Sequence, residues 1–313
     1  MTDRQKMILS HTVIQFLRGL RTRLVSVAPG WSPPQVAWEC PASADVMLMT
    51  SKDLGTETGA GAGSVIGASG SSARSPKQEE KWQKRESALL DITQAIIDEV
   101  GYAHFNMDAL VRASDVSKGT VYNHFTSKED CLAALCCRGM EELKDMFLRA
   151  QAFDGTNREK ALAIHYAYRL HLKLHPALSM ALVTARTAAF AEKTSPQRAA
   201  RMRDNDATLF GIAFQVIEAA VAAGDLEITS DLNATVITFL TWSTSYGINM
   251  LEDTGFEHTI SELLDQQNIA LIGANVLMDG IGMKPLSKDW DYGASWQRIA
   301  EEVFPEENKK VLL

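Results

Sequence analysis

The sequence lacks the patterns that identify membrane proteins and most enzymes. No stretch approaches the roughly 20 uninterrupted apolar residues that a membrane-spanning helix needs. No phosphate-binding loop, dinucleotide-binding glycine fingerprint or nucleophile motif with a recognisable base occurs. We therefore expect a non-enzymatic chain with no membrane contact, no catalytic residue, no metal ligand and no cofactor.

Cysteine is scarce and does not form a metal-binding pattern. The four cysteines are Cys40, Cys131, Cys136 and Cys137, and the last three fall on one predicted helix at spacings that fit no common zinc site. Unpaired thiols suit a reducing cytoplasm, so we predict a cytoplasmic protein. Buried small side chains explain these cysteines most simply, and a redox or metal sensor built on them is the alternative.

Positive charge is in short supply. The formal net charge is -8, and residues 77–149 carry 10 basic and 13 acidic side chains, a net of -3. Such a balance weakens nonspecific attraction to a polyanion. Any binding to DNA must therefore depend on a few well-placed donors.

Residues 1–78 differ in composition from the rest. The first 38 residues are rich in arginine and poor in acidic residues, and residues 55–75 are rich in Gly, Ala and Ser, which is typical of flexible chain. Three explanations remain open. The start codon was chosen too far upstream, with Met47 or Met49 as the true start; or this is a disordered basic extension that assists DNA contact; or it is an Arg-rich targeting peptide.

The next segment predicts two helices. Apolar residues recur at three- and four-residue spacing, which indicates an amphipathic helix: Leu89, Ile92, Ile96 and Val100. Gly101 then marks its end. Asn106 is a good N-cap for a second helix that contains Leu110 and Val111.

Residues 117–125 predict the recognition helix of a helix-turn-helix DNA reader. Ser117 is a good N-cap, and Val121 and Phe125 share one face that suits burial. The rest of the helix carries donors and flat rings suited to phosphates and base edges: Lys118, Thr120, Tyr122, Asn123 and His124. Thr126 and Glu129 have the spacing of a capping box that opens a longer fourth helix.

Residues 81–135 resemble the N-terminal domain of TetR-type (tetracycline-repressor-like) transcriptional regulators. The residues that match the family pattern are Gly101-Tyr102, Met107-Asp108-Ala109-Leu110, Val116 through Tyr122, His124-Phe125 and Ser127-Lys128-Glu129. Ser114-Asp115 stands where the family usually has Ala-Gly; Asp tolerates the left-handed turn that we expect there. The resemblance implies a DNA-binding domain followed by a helical domain that binds a ligand and dimerises.

The residues of the recognition helix divide by role. The resemblance implies that Thr120, Tyr122, His124 and Lys128 mainly hold phosphates. Gly119 leaves room for a backbone or a phosphate to approach closely. Lys118 and Asn123 are better placed for base edges, because Asn can make two hydrogen bonds to adenine.

Beyond Leu148 the pattern is helical, with prolines at segment edges. Helices are predicted near 158–174, 177–192, 196–223, 231–252 and 260–280, with a short one near 294–303. We therefore predict an all-α fold with four parts: the extension 1–78, the helix-turn-helix domain 79–128, the ligand-binding and dimerisation domain 129–282, and a C-terminal extension 283–313 with a short helix.

The resemblance implies that helices 231–252 and 260–280 pack against their copies in a second subunit as a four-helix bundle. The apolar positions that fit this role are Val236, Phe239, Leu240 and Ser243 on one helix, and Leu264, Leu271, Val276 and Leu277 on the other. Gly273 and Ala274 would let backbones come close.

A largely apolar cavity with a few polar groups is the usual ligand site. The candidates for its lining are Tyr168, Arg186, Trp242, Tyr246 and Asn249, and a buried Arg186 would need an anionic partner. These features predict a homodimeric, ligand-responsive regulator, most simply a repressor that releases a palindromic, double-stranded operator when it binds a small molecule. The alternative is a helical adaptor, or a metal- or redox-sensing protein, with a helix-turn-helix-like segment.

Overall fold

The computed structural model describes residues 75–253 and 268–311, all within one compact unit that spans Ser71–Leu313. Within these ranges every regular element is helical, so the all-α prediction is confirmed. The helices are α1 Pro76–Val100, α2 Met107–Ala113, α3 Lys118–His124, α4 Lys128–Gln151, α5 Asn157–Leu174, α6 Pro176–Ala185, α7 Ala188–Ala191, α8 Pro196–Ala223, α9 Ala234–Asp253, α10 Ile269–Gly280, α11 Tyr292–Arg298 and α12 Pro305–Val311. A π-helix, Ile299–Val303, lies between α11 and α12.

Local capping signals placed the first three helices correctly. Gly101 ends α1 with a positive φ of 80°, a conformation that glycine adopts without steric cost. The side chain of Asn106 accepts a hydrogen bond from the backbone N–H of Ala109. Ser117 does the same for Thr120 at the start of α3.

The cap of α4 lies one residue later than predicted. Ser127 is the N-cap and accepts from the backbone N–H of Asp130 at 2.9 Å. Thr126 instead donates its backbone N–H and its hydroxyl to the Asp130 carboxylate. That carboxylate is buried and also accepts from the backbone N–H of Ser195, a contact between residues far apart in the sequence.

Two hydrophobic clusters form the interior. The head core joins α1–α3 to the first turns of α4, and also includes Leu178, Ala181 and Phe190 from α6 and α7. The body core joins the rest of α4 to α5, α8, α9, α10 and the C-terminal segment. Helices α4 and α6 therefore connect the head core with the body.

Two predicted body helices differ from the structure. The helix expected over 177–192 is broken at Arg186 and Thr187, where the Thr187 hydroxyl donates to the carbonyl oxygen of Thr184 at 2.7 Å. The helix expected over 260–280 begins, in the described part, at Ile269. Leu264 lies outside the described residues.

The C-terminal extension contains more structure than the single short helix predicted. Met283, Tyr292 and Phe304 are buried in the body core. Arg158 on α5 is fully buried and donates to the Asp279 carboxylate at 2.6 Å and to the carbonyl oxygen of Met283 at 2.7 Å. These contacts fasten the end of the chain to the body.

Among the described residues, one helix has the length and mean hydropathy of a membrane span, although Gln215 and Glu218 interrupt its apolar run. It is α8, Pro196–Ala223, whose alanine-rich second half is apolar overall. Core helices pass the same test, and α8 packs against α4, α5 and α9. The residues that it buries are Ile212, Val216, Ile217 and Ala220.

Candidate nucleic-acid interface and ligand cavity

Helix α3 presents one apolar face to the head core and one polar face to solvent. Val121 and Phe125 are fully buried, as their spacing predicted. The exposed residues of this segment are Lys118, Gly119, Tyr122 and Asn123. The predicted division into two faces is therefore present, and the contacts of the outer face with DNA remain a prediction.

Lys118 is held only weakly by the protein. Its Nζ lies 3.2 Å from a carboxylate oxygen of Asp108, and both side chains are 65% exposed. Exposed ion pairs of this kind contribute about 0–1 kcal/mol. The ammonium also lies 5.7 Å from the centre of the Tyr122 ring. Lys118 can therefore exchange its partner for an acceptor on a ligand at little cost.

The first turn of α3 leaves space beside its backbone. A Cβ atom on Gly119 would meet only the Ser117 hydroxyl oxygen, at 3.9 Å, so packing inside the protein does not require glycine there. The Thr120 hydroxyl lies 2.9 Å from that of Ser117 and is half-buried. A close external approach is thus open at Gly119.

The placement of His124 does not support the predicted phosphate contact. Its side chain is fully buried, with Nδ1 3.4 Å from a carboxylate oxygen of Glu86. Its ring stacks on Trp82 with 3.6 Å between centroids. Position 124 follows Val121 by three residues and shares its buried face, so His124 holds α3 against α1.

Lys128 is also drawn into the protein. Its Nζ lies 3.4 Å from the carbonyl oxygens of Tyr102 and Ala103 and 5.4 Å from the centre of the Tyr102 ring. The side chain is half-buried. Its main contact in this structure is the turn between α1 and α2, not solvent.

A cavity of about 360 Å³ lies in the body between α4, α5, α6, α8 and α9. Four of the five predicted ligand residues line it: Tyr168, Arg186, Trp242 and Tyr246. Most of the remaining wall is apolar and includes Leu143, Phe147 and Phe210. The size falls in the usual range for small-molecule sites.

Arg186 lies at the edge of this cavity and is not buried. Its guanidinium donates to both carboxylate oxygens of Asp206, at 2.7 and 3.3 Å, and sits 5.3 Å from the centre of the Trp242 ring. The anionic partner of Arg186 is therefore Asp206, and the charge of Arg186 is balanced inside the protein. A carboxylate on a ligand is not needed for that purpose.

Three aromatic side chains form one wall of the cavity. Trp242 and Tyr246 lie one turn apart on α9 with ring centroids 5.8 Å apart. Burial raises the pKa of Tyr168, while a hydrogen bond with Trp242 opposes that rise. Tyr168 therefore stays a neutral hydrogen-bonding group at physiological pH.

His165 is a further residue of the cavity wall, on the same helix as Tyr168. It lies on α5 one turn before Tyr168, lines the cavity and is 7% exposed. Burial alone lowers its pKa to about 4. Its neutral ring is thus a hydrogen-bonding group inside an apolar cavity. Its spacing of three residues from Tyr168 was the available signal.

Asn249 does not line the cavity. It is buried, accepts from Arg169 at 3.1 Å and donates to the carbonyl oxygen of Ser245 at 2.7 Å. Arg169 also pairs with Glu252. Asn249 therefore belongs to a polar network that joins α5 to α9, two helical turns beyond Trp242.

The described cysteines are inert packing residues. Cys131, Cys136 and Cys137 are buried and unpaired. Burial raises the pKa of Cys131 to about 12 and that of Cys137 to about 11. Reactive cysteines have lowered pKa values and are accessible, so this geometry disfavours a redox sensor built on these three thiols.

Comparison with known proteins agrees with the helix-turn-helix geometry. Residues 89–135 match the family described as bacterial regulatory proteins, tetR family. This stretch contains the end of α1, all of α2 and α3, and the start of α4. The match supports a regulator of the tetR type. The family match thus falls on the helices that carry the exposed polar face.

Two relatives extend the comparison beyond this segment. An uncharacterized HTH-type transcriptional regulator of Mycobacterium tuberculosis H37Rv is 30% identical over 79 residues, which are 25% of this chain and 39% of that protein. The chain thus matches about two fifths of that relative. The HTH-type transcriptional regulator UidR of Escherichia coli K12 is 25% identical over 196 residues, 61% of this chain and 92% of UidR.

The fold of the chain is shared, over part of its length, with a solved structure. A protein of unknown function from Rhodococcus sp. RHA1 superimposes with a TM-score of 0.50 at 20% identity, covering 63% of this chain and 95% of that one. This likeness shows a common all-α fold.

Proposed function

We propose that this chain is a cytoplasmic, ligand-responsive transcriptional regulator of the tetR family that binds a palindromic operator as a homodimer and acts as a repressor. The observation that carries the proposal is the exposed face of α3, with Lys118, Tyr122 and Asn123 directed to solvent. It lies in the segment that matches the family.

We assign the contacts with DNA to residues on the outer face of α3. Lys118 and Asn123 read base edges in the major groove. Tyr122 and Thr120 hold phosphates, and Gly119 lets the sugar-phosphate backbone approach. Lys128 would have to leave the carbonyl oxygens of the preceding turn before it could reach a phosphate.

A second copy of the chain is the proposed partner of α9 and α10. These helices expose large apolar side chains: Val236, Phe239 and Leu240 on α9, and Ile272 and Val276 on α10. Phe239 is 53% and Val276 68% exposed, which is unusual for two packed helices of one body. Two DNA-binding domains that occupy one palindromic operator need such a contact between their subunits.

Two of the residues predicted for the dimer contact, Gly273 and Ala274, pack within the chain itself. A Cβ on Gly273 would lie 2.3 Å from Cδ1 of Ile248, so Gly273 lets α10 approach α9 of the same chain. Ala274 is buried in the body core. Ser243, Leu271 and Leu277 are half-buried. The proposed interface therefore centres on Phe239 and Val276.

The cavity is the proposed ligand site. Its wall suits a small, mainly apolar molecule with one or two hydrogen-bonding groups, which would meet Tyr168 and His165. Leu143 on α4 and Leu182 on α6 both line it. Because α6 also contributes Leu178 to the head core, a ligand that shifts α4 and α6 would move the head relative to the body.

The switch requires that a ligand bind two arrangements of the DNA-binding domains with different affinity. Converting a population that mostly binds DNA into one that mostly does not needs a difference in binding free energy of about 5.5 kcal/mol. Filling a largely apolar cavity of this size is a reasonable source of that energy. The ligand must therefore contact α4 or α6 differently in the two states.

A thermal-shift screen of small molecules on the full chain tests the ligand-responsive part. We expect compounds that raise the melting temperature to weaken binding to operator DNA in the same concentration range. Compounds that raise the melting temperature and leave DNA binding unchanged would contradict the repressor mechanism. An adaptor without DNA binding would show no operator complex at moderate salt.

A further inference from the structure

Three side chains with metal-binding atoms converge where α4 meets the junction of α5 and α6. Glu142 lies on α4, His171 in the last turn of α5, and His175 between α5 and α6. One ligand atom from each lies within 4.8 Å of the other two. His175 Nε2 is 3.0 Å from a carboxylate oxygen of Glu142.

His171 is the residue that makes this cluster unusual. It is 1% exposed, and neither of its ring nitrogens makes a hydrogen bond. Leaving a buried polar group unsatisfied costs about 1–3 kcal/mol. A ligand that accepts a lone pair from this ring would remove that cost.

The sequence lets α4 approach the two imidazole rings closely. A Cβ atom on Gly139 would lie 2.3 Å from Cδ2 of Leu178 and 3.7 Å from Cε1 of His171. Only glycine fits without a shift of Leu178. Glu142 follows Gly139 by three residues, about one helical turn, and so reaches the same site.

We propose that Glu142, His171 and His175 bind a divalent transition-metal ion of the Zn²⁺ class. Two imidazoles and one carboxylate suit such ions, whereas Mg²⁺ and Ca²⁺ take oxygen ligands. Metal–ligand distances of about 2 Å place donor atoms roughly 3–4 Å apart. Small side-chain rotations bring the three donors to that spacing.

The site is accessible and lies between α4 and the α5–α6 junction. The side chains of Glu142 and His175 are 48% and 29% exposed, so an ion can enter from solvent. A bound ion would tie α4 to the α5–α6 junction. Both α4 and α6 contribute to the head core, so the ion would stiffen the connection between head and body.

Calorimetric titration of the chelator-treated full chain with ZnCl₂, and in parallel with MgCl₂, tests the proposal. We expect Zn²⁺ to bind with micromolar or tighter affinity and to raise the melting temperature, and Mg²⁺ to do neither. Glu142→Gln and His175→Ala alter partly exposed side chains and should fold. Each should weaken Zn²⁺ binding by roughly tenfold or more, because each removes a direct ligand.

Matched controls decide where the ion sits. Glu141→Gln changes the adjacent carboxylate, which pairs with Arg201, and His104→Ala changes an exposed histidine far along the chain. Both should bind Zn²⁺ as the unaltered chain does. Absence of Zn²⁺ binding at micromolar concentrations overturns the proposal. Undiminished binding by Glu142→Gln and His175→Ala, which would place the ion elsewhere, also overturns it.

Discussion

Arg198 on α8 donates one hydrogen bond of 3.0 Å to each carboxylate oxygen of Glu86 on α1. It also donates to the carbonyl oxygen of His124, at 3.0 Å, and its Nε lies 3.4 Å from a carboxylate oxygen of Asp130. Burial raises the pKa of Glu86, but hydrogen bonds from His124 and Arg198 outweigh it and lower the pKa to about 2. One guanidinium thus joins the body to the recognition helix.

Replacing Arg198 by Ala should destabilise the chain by about 2 kcal/mol, because Glu86 and the buried Asp130 lose a charged partner. Arg201→Ala is the matched control on the same helix. Arg201 pairs with Glu141 at the surface, and its loss should cost less than about 1 kcal/mol. Urea denaturation measures both. Equal losses for the two variants would contradict a structural role for Arg198.

The proposed dimer contact predicts that Val276→Asp yields a monomer, because a charge at the most exposed apolar position would be buried against the second copy. Leu148→Asp is the control, since Leu148 on α4 is 45% exposed and lies outside α9 and α10. Analytical ultracentrifugation should find a dimer for Leu148→Asp and for the unaltered chain. A monomer for the unaltered chain at micromolar concentration would exclude the proposed assembly.

His165 predicts a pH dependence of stability. Its pKa in the folded chain is about 4, against 6.5 when unfolded. Between these values the unfolded chain binds a proton that the folded chain does not, so this contribution to stability falls as the pH decreases from 6.5 to 4. The free energy of unfolding falls by at most about 3 kcal/mol from this residue. Stability measured by urea denaturation should depend less on pH in His165→Gln, and an identical slope in both chains would contradict the buried neutral ring.

The cavity predicts that Trp242→Ala weakens the response to a compound found in the thermal-shift screen. Removing the indole removes one wall of the site, so the concentration needed for operator release should rise roughly tenfold or more. Trp290→Ala is the control, because Trp290 is exposed and lies outside the cavity. If Trp242→Ala and Tyr246→Ala both release DNA at the ligand concentration that releases it from the unaltered chain, the ligand binds elsewhere.

The sequence predicted those features that depend on neighbours along the chain. Gly101, Asn106 and Ser117 mark helix ends by local hydrogen bonds and backbone preference, and each was placed correctly. The buried pair Val121 and Phe125 follows from helical spacing in the same way. The family resemblance added the body and its cavity.

Features that depend on distant contacts could not be read from the sequence. His124 is buried because Trp82 and Glu86, about 40 residues earlier, pack around it. The cap of α4 shifts to Ser127 because Asp130 is held by elements some 65 residues away. A pattern of spacing within one helix contains no information about such partners.

The cluster of Glu142, His171 and His175 could not be predicted from the sequence for the same reason. His171 and His175 stand at helical spacing, which alone is weak evidence for ligation. Glu142 joins them only because α4 crosses the end of α5 at Gly139. The three side chains come together through packing.

Selection of duplexes from random DNA by the purified full chain tests the central claim, sequence-specific DNA recognition through α3, most directly. We predict enrichment of a palindrome whose half-sites are about one helical turn apart or somewhat more. Asn123→Ala should relax the preference at one or two base positions, whereas Tyr122→Phe should weaken all sequences alike. No enrichment at moderate salt, or an Asn123→Ala preference identical to that of the unaltered chain, would contradict the account.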